Sequence, residues 1–198
     1  MKIIKFFPIA IIILIFIVAC SSQPSDKDIE SFLSNKFDCT TIQGKILSAP
    51  ILGGSSNYYI SFIDKNKNSC YIIADANLKK YILFNYDSPI QSDKNTLNST
   101  YKNLIDRELD PDNPDPEYKI KSELTDIRIV KGKSTEDIFL NGEVGIMQIA
   151  REFIYKDKEL GKRVGPSKVN IVVLFNPDTK STYEFDLGNK PLIGKGEK

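Results

Sequence analysis

The sequence predicts an α+β fold, with short amphipathic helices packed on antiparallel β-sheet. Two observations carry this. Apolar residues recur at helical spacing in two separate stretches, and after each the period shortens to that of strands. Gly-, Asn-, Asp- and Pro-rich turn clusters separate those strands. The helix-then-strands order occurs twice, in 26–86 and again from residue 92 onward. It describes either two tandem helix-plus-meander modules or one mixed domain that contains the second helix.

Taken in order, Asp26–Phe37 places Ile29, Phe32, Leu33 and Phe37 on one helical face. Ser25 and Asp28 form an approximate capping box at its start. Thr41–Leu47, Asn57–Ile63 and Cys70–Ala74 are short strands rich in Ile, Tyr and Phe. Gly53-Gly54-Ser55-Ser56 and Asp64–Asn68 are the turns between them. Lys79–Asn85 reads as one more strand. Asp93–Leu109 carries a second stripe, Leu97, Tyr101, Leu104, Ile105 and Leu109, with Ser92 as its N-cap. Pro111, Pro114 and Pro116 then exclude helix from the connector that ends 87–117. Tyr118–Val130 reads as strand. Gly145–Tyr155 fits either period and is assigned to strand because Val169–Phe175 and Ser181–Leu187 read as its antiparallel partners. Asn176-Pro177-Asp178-Thr179 is the turn between those two. Residues 118–188 thus form a β-rich module, and 189–198 a flexible polar tail.

The N-terminus is of another kind. Lys2 and Lys5 precede an apolar run from Phe6 to Ala19, and Cys20 follows it. That run is shorter than the roughly 20 residues a spanning helix needs, and it suits a signal-peptide core. Ile17-Val18-Ala19-Cys20 resembles the lipobox of bacterial lipoproteins. The resemblance covers residues 1–20, with Ile in the place usually held by Leu. It implies removal of 1–19, a thioether-linked diacylglycerol on Cys20 and an acyl chain such as palmitate on its amino group. Residues 20–25 then serve as a lipidated tether. Two or three acyl chains hold a soluble domain at a membrane, where a single chain binds only reversibly. Ser21 follows the Cys where Asp would otherwise stand, which in a Gram-negative lipoprotein implies sorting to the outer membrane. The localisation expected is the bacterial cell envelope.

Export makes a disulfide the expected state of the two remaining cysteines, Cys39 and Cys70. Closing that loop is worth roughly 3–4 kcal/mol on a chain-entropy basis.

The 198 residues include no His and no Trp, and 27 Lys+Arg balance 26 Asp+Glu. The absence of His removes His-based triads, Cys–His dyads and His zinc sites. Near-neutrality argues against nucleic acid as a partner. The acidic run Asp106, Glu108, Asp110, Asp112, Asp115 and Glu117 offers oxygen ligands, but Pro114 and Pro116 break the EF-hand spacing, so a stiff solvated connector is preferred over calcium. Gly53–Ser56 lacks the Lys-Ser/Thr ending of a phosphate loop and reads as a hairpin turn. Tyr58 and Tyr59 form either an exposed aromatic contact or a strand with one ring facing the core. Lys156, Lys158, Lys162 and Arg163, mixed with Asp157 and Glu159, read as a solvated hairpin loop. Asn98-Ser99-Thr100 matches a glycosylation acceptor that a bacterial chain does not use.

No catalytic, cofactor-binding or metal residue is therefore assigned, and no cofactor is expected. The function expected is that of a membrane-anchored, non-enzymatic envelope lipoprotein. It would bind another protein in an assembly, secretion-accessory or immunity/inhibitor role. The alternative is an acid-only enzyme acting on glycan or peptidoglycan, which needs just two carboxylates, or a small-ligand binder.

Overall fold

The computed structural model describes residues 24–48, 57–135, 142–165 and 167–188. Cys20 with its lipobox, the Gly53–Ser56 turn and the 189–198 tail lie outside them.

Helix α1 (Asp26–Phe37) opens with the full capping box. The Ser25 hydroxyl accepts from the Asp28 N–H, and the Asp28 carboxylate accepts from the Ser25 N–H at 2.8 Å. The carboxylates of Asp26 and Asp28 also suit the positive end of the helix dipole. Asp38, at φ 54°, ends the helix in the left-handed region and turns the chain directly into β1 (Cys39–Ser48). Strands β2 (Asn57–Asp64), β3 (Ser69–Asp75) and β4 (Tyr81–Gln91) follow as hairpins. Two short helices come next, α2 (Lys94–Thr100) and α3 (Lys102–Leu109). Strands β5 (Tyr118–Ser134) and β6 (Glu143–Tyr155), helix α4 (Lys158–Arg163), and strands β7 (Lys168–Phe175) and β8 (Thr182–Asp186) complete the order.

The eight strands of the described residues form one antiparallel sheet in sequence order, so the fold is a sheet-dominated α+β fold. The two expected meanders are joined edge to edge through β4 and β5. The sheet curls until its ends meet across the concave face. The Tyr59 ring of β2 lies 6.1 Å from Phe185 of β8, and the Asn57 amide donates to the Tyr183 hydroxyl. Tyr59, Tyr71, Phe84, Tyr86, Val144, Leu174 and Phe185 fill that concavity. On the outer face, Ile29 and Leu33 of α1 share a buried cluster with Tyr58, Ile60, Phe62 and Ile72. Leu97, Leu104 and Ile105 of α2 and α3 share another with Ile127, Met147, Ile149 and Val173. Burial on both faces explains why the strands are richer in apolar residues than a half-exposed sheet requires.

Several expectations change. Tyr58 and Tyr59 are both buried, on opposite faces, because each side of β2 is covered. The helical stretch from residue 93 breaks at Tyr101 (φ −108°, ψ 19°), and its N-cap is Asp93, whose carboxylate accepts from the Asn95 N–H at 3.3 Å. The loop around Lys158–Arg163 is a helical turn capped by Asp157. Strand β4 runs six residues past Asn85.

Cys39 and Cys70 are free thiols. They stand on β1 and β3 with β2 between them. Strands next but one are about 9–10 Å apart, beyond the 4.4–6.8 Å or so between Cα atoms that a disulfide accepts. The expected bridge is therefore not made in this arrangement.

Candidate functional site

The strands part where β4 crosses β5. Pairing shifts between Phe84 and Pro89, because proline has no N–H for the ladder and the Asp87 N–H is bonded to the Asn85 side chain at 3.0 Å. Arg128 of β5 fills the gap. Its guanidinium lies 3.9 Å from the centre of the Tyr86 ring, donates through Nη1 to the Tyr86 carbonyl at 3.1 Å, and donates through Nε to Asp126 Oδ2 at 2.8 Å. The Tyr86 hydroxyl donates to the same carboxylate and accepts from the Gln148 amide. The Lys94 ammonium of α2 stands 3.1 Å from Asp126 Oδ1, an ion pair without the alignment of a hydrogen bond.

This network explains its own ionisation. Burial raises the Asp126 carboxyl, but the hydrogen bond from Tyr86, the adjacent Lys94 ammonium and the charge of Arg128 outweigh it and hold the group below its ordinary value. Burial first, and Asp126 second, push the Tyr86 phenol up, so it stays a proton donor. The result is a charged clasp joining α2, β4, β5 and β6.

A second cluster surrounds Arg151 of β6, which is 5% exposed. It donates to Glu184 of β8 at 3.0 Å, to the Glu108 carbonyl at the end of α3 at 2.9 Å, and to the Ser122 hydroxyl of β5 at 3.4 Å. The Glu108 carboxylate accepts from Arg107 at 2.7 Å. Burial raises the Glu184 carboxyl; Arg151 opposes the rise and Glu108 adds to it. The third polar feature lies in the concavity, where the Tyr59 and Tyr71 hydroxyls are buried with no hydrogen-bond partner. Burial pushes both phenols well up.

Two open hollows lie outside these clusters. One of about 360 Å³ is lined by Lys121, Glu123, Arg151, Glu152 and Lys168. Another of about 310 Å³ lies against Tyr101, Lys102, Arg107 and Lys180.

The acidic run is not gathered into a site. Asp106 pairs with Lys102 at 2.5 Å, Glu108 with Arg107, and Asp115 accepts from the Glu117 N–H at 2.8 Å. No group of three or more metal-ligating side chains occurs among the described residues. Neither thiol is activated. Burial raises Cys39, and burial, Asp64 and Cys39 together push Cys70 up to about 11. Sequence reasoning missed Asp126, Arg128 and Arg151. A signal was present, since the chain has only four arginines and two of them fall inside apolar strand segments, where a charge needs partners. No family model, curated protein or solved structure matches the chain.

Proposed function

We propose that the protein is a lipid-anchored lipoprotein of the bacterial envelope that acts as a non-enzymatic protein-binding module. Assembly, secretion-accessory and immunity/inhibitor roles all fit it. The observation that carries this reading is the N-terminus, where a basic start and a short apolar run lead into Ile17-Val18-Ala19-Cys20. The partnered carboxylates of the fold serve the scaffold. Asp126 is engaged by Arg128, Lys94 and Tyr86, Glu184 by Arg151, and Glu108 by Arg107.

Crosslinking from intact membranes tests the function. A dominant protein partner is the expected product. Recovery of none, together with turnover of an envelope glycan by the purified protein, would replace this reading with the acid-only enzyme. The anchor has its own check: Cys20→Ser abolishes acyl labelling and releases the chain from the membrane. Unchanged retention refutes the lipid role.

A further inference from the structure

Strand β5 is the longest, and β4 accompanies only its C-terminal half, because their pairing ends with Gln91 opposite Ile129. Among the described residues, no strand pairs with that edge of β5 over 119–125. Two hydrogen bonds give the direction of its backbone groups. The Lys156 N–H donates to the Glu117 carbonyl at 2.9 Å, so Glu117 addresses β6. The Tyr118 carbonyl instead accepts from the Asn113 side-chain amide at 3.0 Å. Peptide groups alternate in this way along an antiparallel strand. Ile120, Ser122 and Leu124 therefore turn their N–H and C=O groups to the open side.

The open stretch reads Lys119-Ile120-Lys121-Ser122-Glu123-Leu124-Thr125. It complements itself when read backwards. Let two copies pair antiparallel with Ser122 on the two-fold axis. Lys121 then faces Glu123 of the other copy, and Ile120 faces Leu124, each pair occurring twice. Ile120, Ser122 and Leu124 make the hydrogen-bonded pairs, so Lys121 and Glu123 fall in the non-hydrogen-bonded positions, where side chains come closest. Both are exposed, and neither has an ion pair among the described residues. Opposite charges directly across a sheet attract, and like charges there repel.

We infer that this free half of β5 is a homodimerisation edge, on which a second copy of the chain docks antiparallel about Ser122 to continue the sheet. Lysines commonly guard open edges against foreign strands. Here Glu123 two residues along admits the chain's own copy and gives the self-complementary patch that a two-fold interface requires. Seven residues a side fall short of the roughly 1,200–2,000 Å² of a standard interface, so the association is weak in dilute solution.

The test uses the full chain in detergent, as an equal mixture of ¹⁴N and ¹⁵N protein at high concentration. A zero-length carbodiimide should join Lys121 to Glu123, with both isotopes present in the crosslinked product. Crosslinks of a single isotope only would overturn the inference. In sedimentation equilibrium, Lys121→Glu puts like charges in both pairs and should weaken dimerisation by about tenfold or more. Adding Glu123→Lys restores opposite charges and should restore the dimer. Wild-type association by the single variant, or failure of the reversed pair to recover it, also overturns the inference. None of these readouts depends on the lipid anchor or on a heterologous partner.

Discussion

Tyr59 and Tyr71 present a test of what an unpartnered buried hydroxyl costs. Removing one leaves no orphan behind, so Tyr59→Phe or Tyr71→Phe should leave stability unchanged or raise it by about 1 kcal/mol. Tyr86→Phe has the opposite sign. It strips a donor from the buried Asp126 carboxylate and should cost about 1–3 kcal/mol. Denaturant unfolding of the three variants measures both effects. The carboxylates of the two arginine clusters, Asp126 and Glu184, respond to pH in opposite directions. Asp126 is lowered on folding, so its contribution is present above the ordinary value of 3.8 and is lost as pH falls through the depressed one. Glu184 is raised, so the folded state binds its proton more tightly, and stability falls as pH rises from 4.5 through the raised value. Glu184→Gln should remove the second decline, and Asp126→Asn should shrink the first, to which the lowered Asp28, Asp64 and Asp93 also contribute. Unfolding across the acidic range checks each slope. For the cysteines, a thiol count on unreduced protein should find Cys39 and Cys70 both free, reacting slowly at neutral pH because burial holds them protonated.

At the scale of elements, Gly145 shows how tightly β6 and β7 are fitted. A Cβ there would stand 2.2 Å from the ring of Phe175, which itself lies 4.8 Å from the Tyr101 ring. Gly145→Ala should therefore cost about 1–3 kcal/mol by overpacking, seen as a lower denaturant midpoint. Ser25→Ala, which removes the cap of α1, should cost about 1 kcal/mol. What was legible in the sequence divides along the same line. The bounds of α1 and its capping box follow from local periodicity and one hydrogen-bonding pair, so they can be read directly. Strands β2 and β3 were legible within a residue or so, because turn residues flank them. The break at Tyr101 was not, since Leu97, Leu104 and Ile105 keep helical spacing across it. Nor was the second half of β4, where Asp87-Ser88-Pro89 has turn composition but is carried along the sheet past a register shift. The clasp around Asp126 joins side chains from four elements. Spacing along the chain holds no trace of such a meeting, though the rarity of arginine pointed at Arg128.

For the whole molecule, continuity of the sheet has a thermodynamic reading. Among the described residues, pairing of β4 with β5 and the concave contacts of β2 with β8 carry one buried cluster across both halves of the sheet. Heating should thus give one cooperative transition, with equal calorimetric and van't Hoff enthalpies. Two resolved transitions would favour the tandem-module description. The strand order has a further consequence. Every ladder joins a strand to its immediate neighbour in the chain, which keeps loop-closure distances short for a β-rich fold. A polypeptide delivered N-terminus first through a narrow channel meets a problem that most sheets cannot solve without waiting, because their partners emerge far apart in time. In this topology each strand arrives beside one that is already out, and assembly keeps pace with delivery.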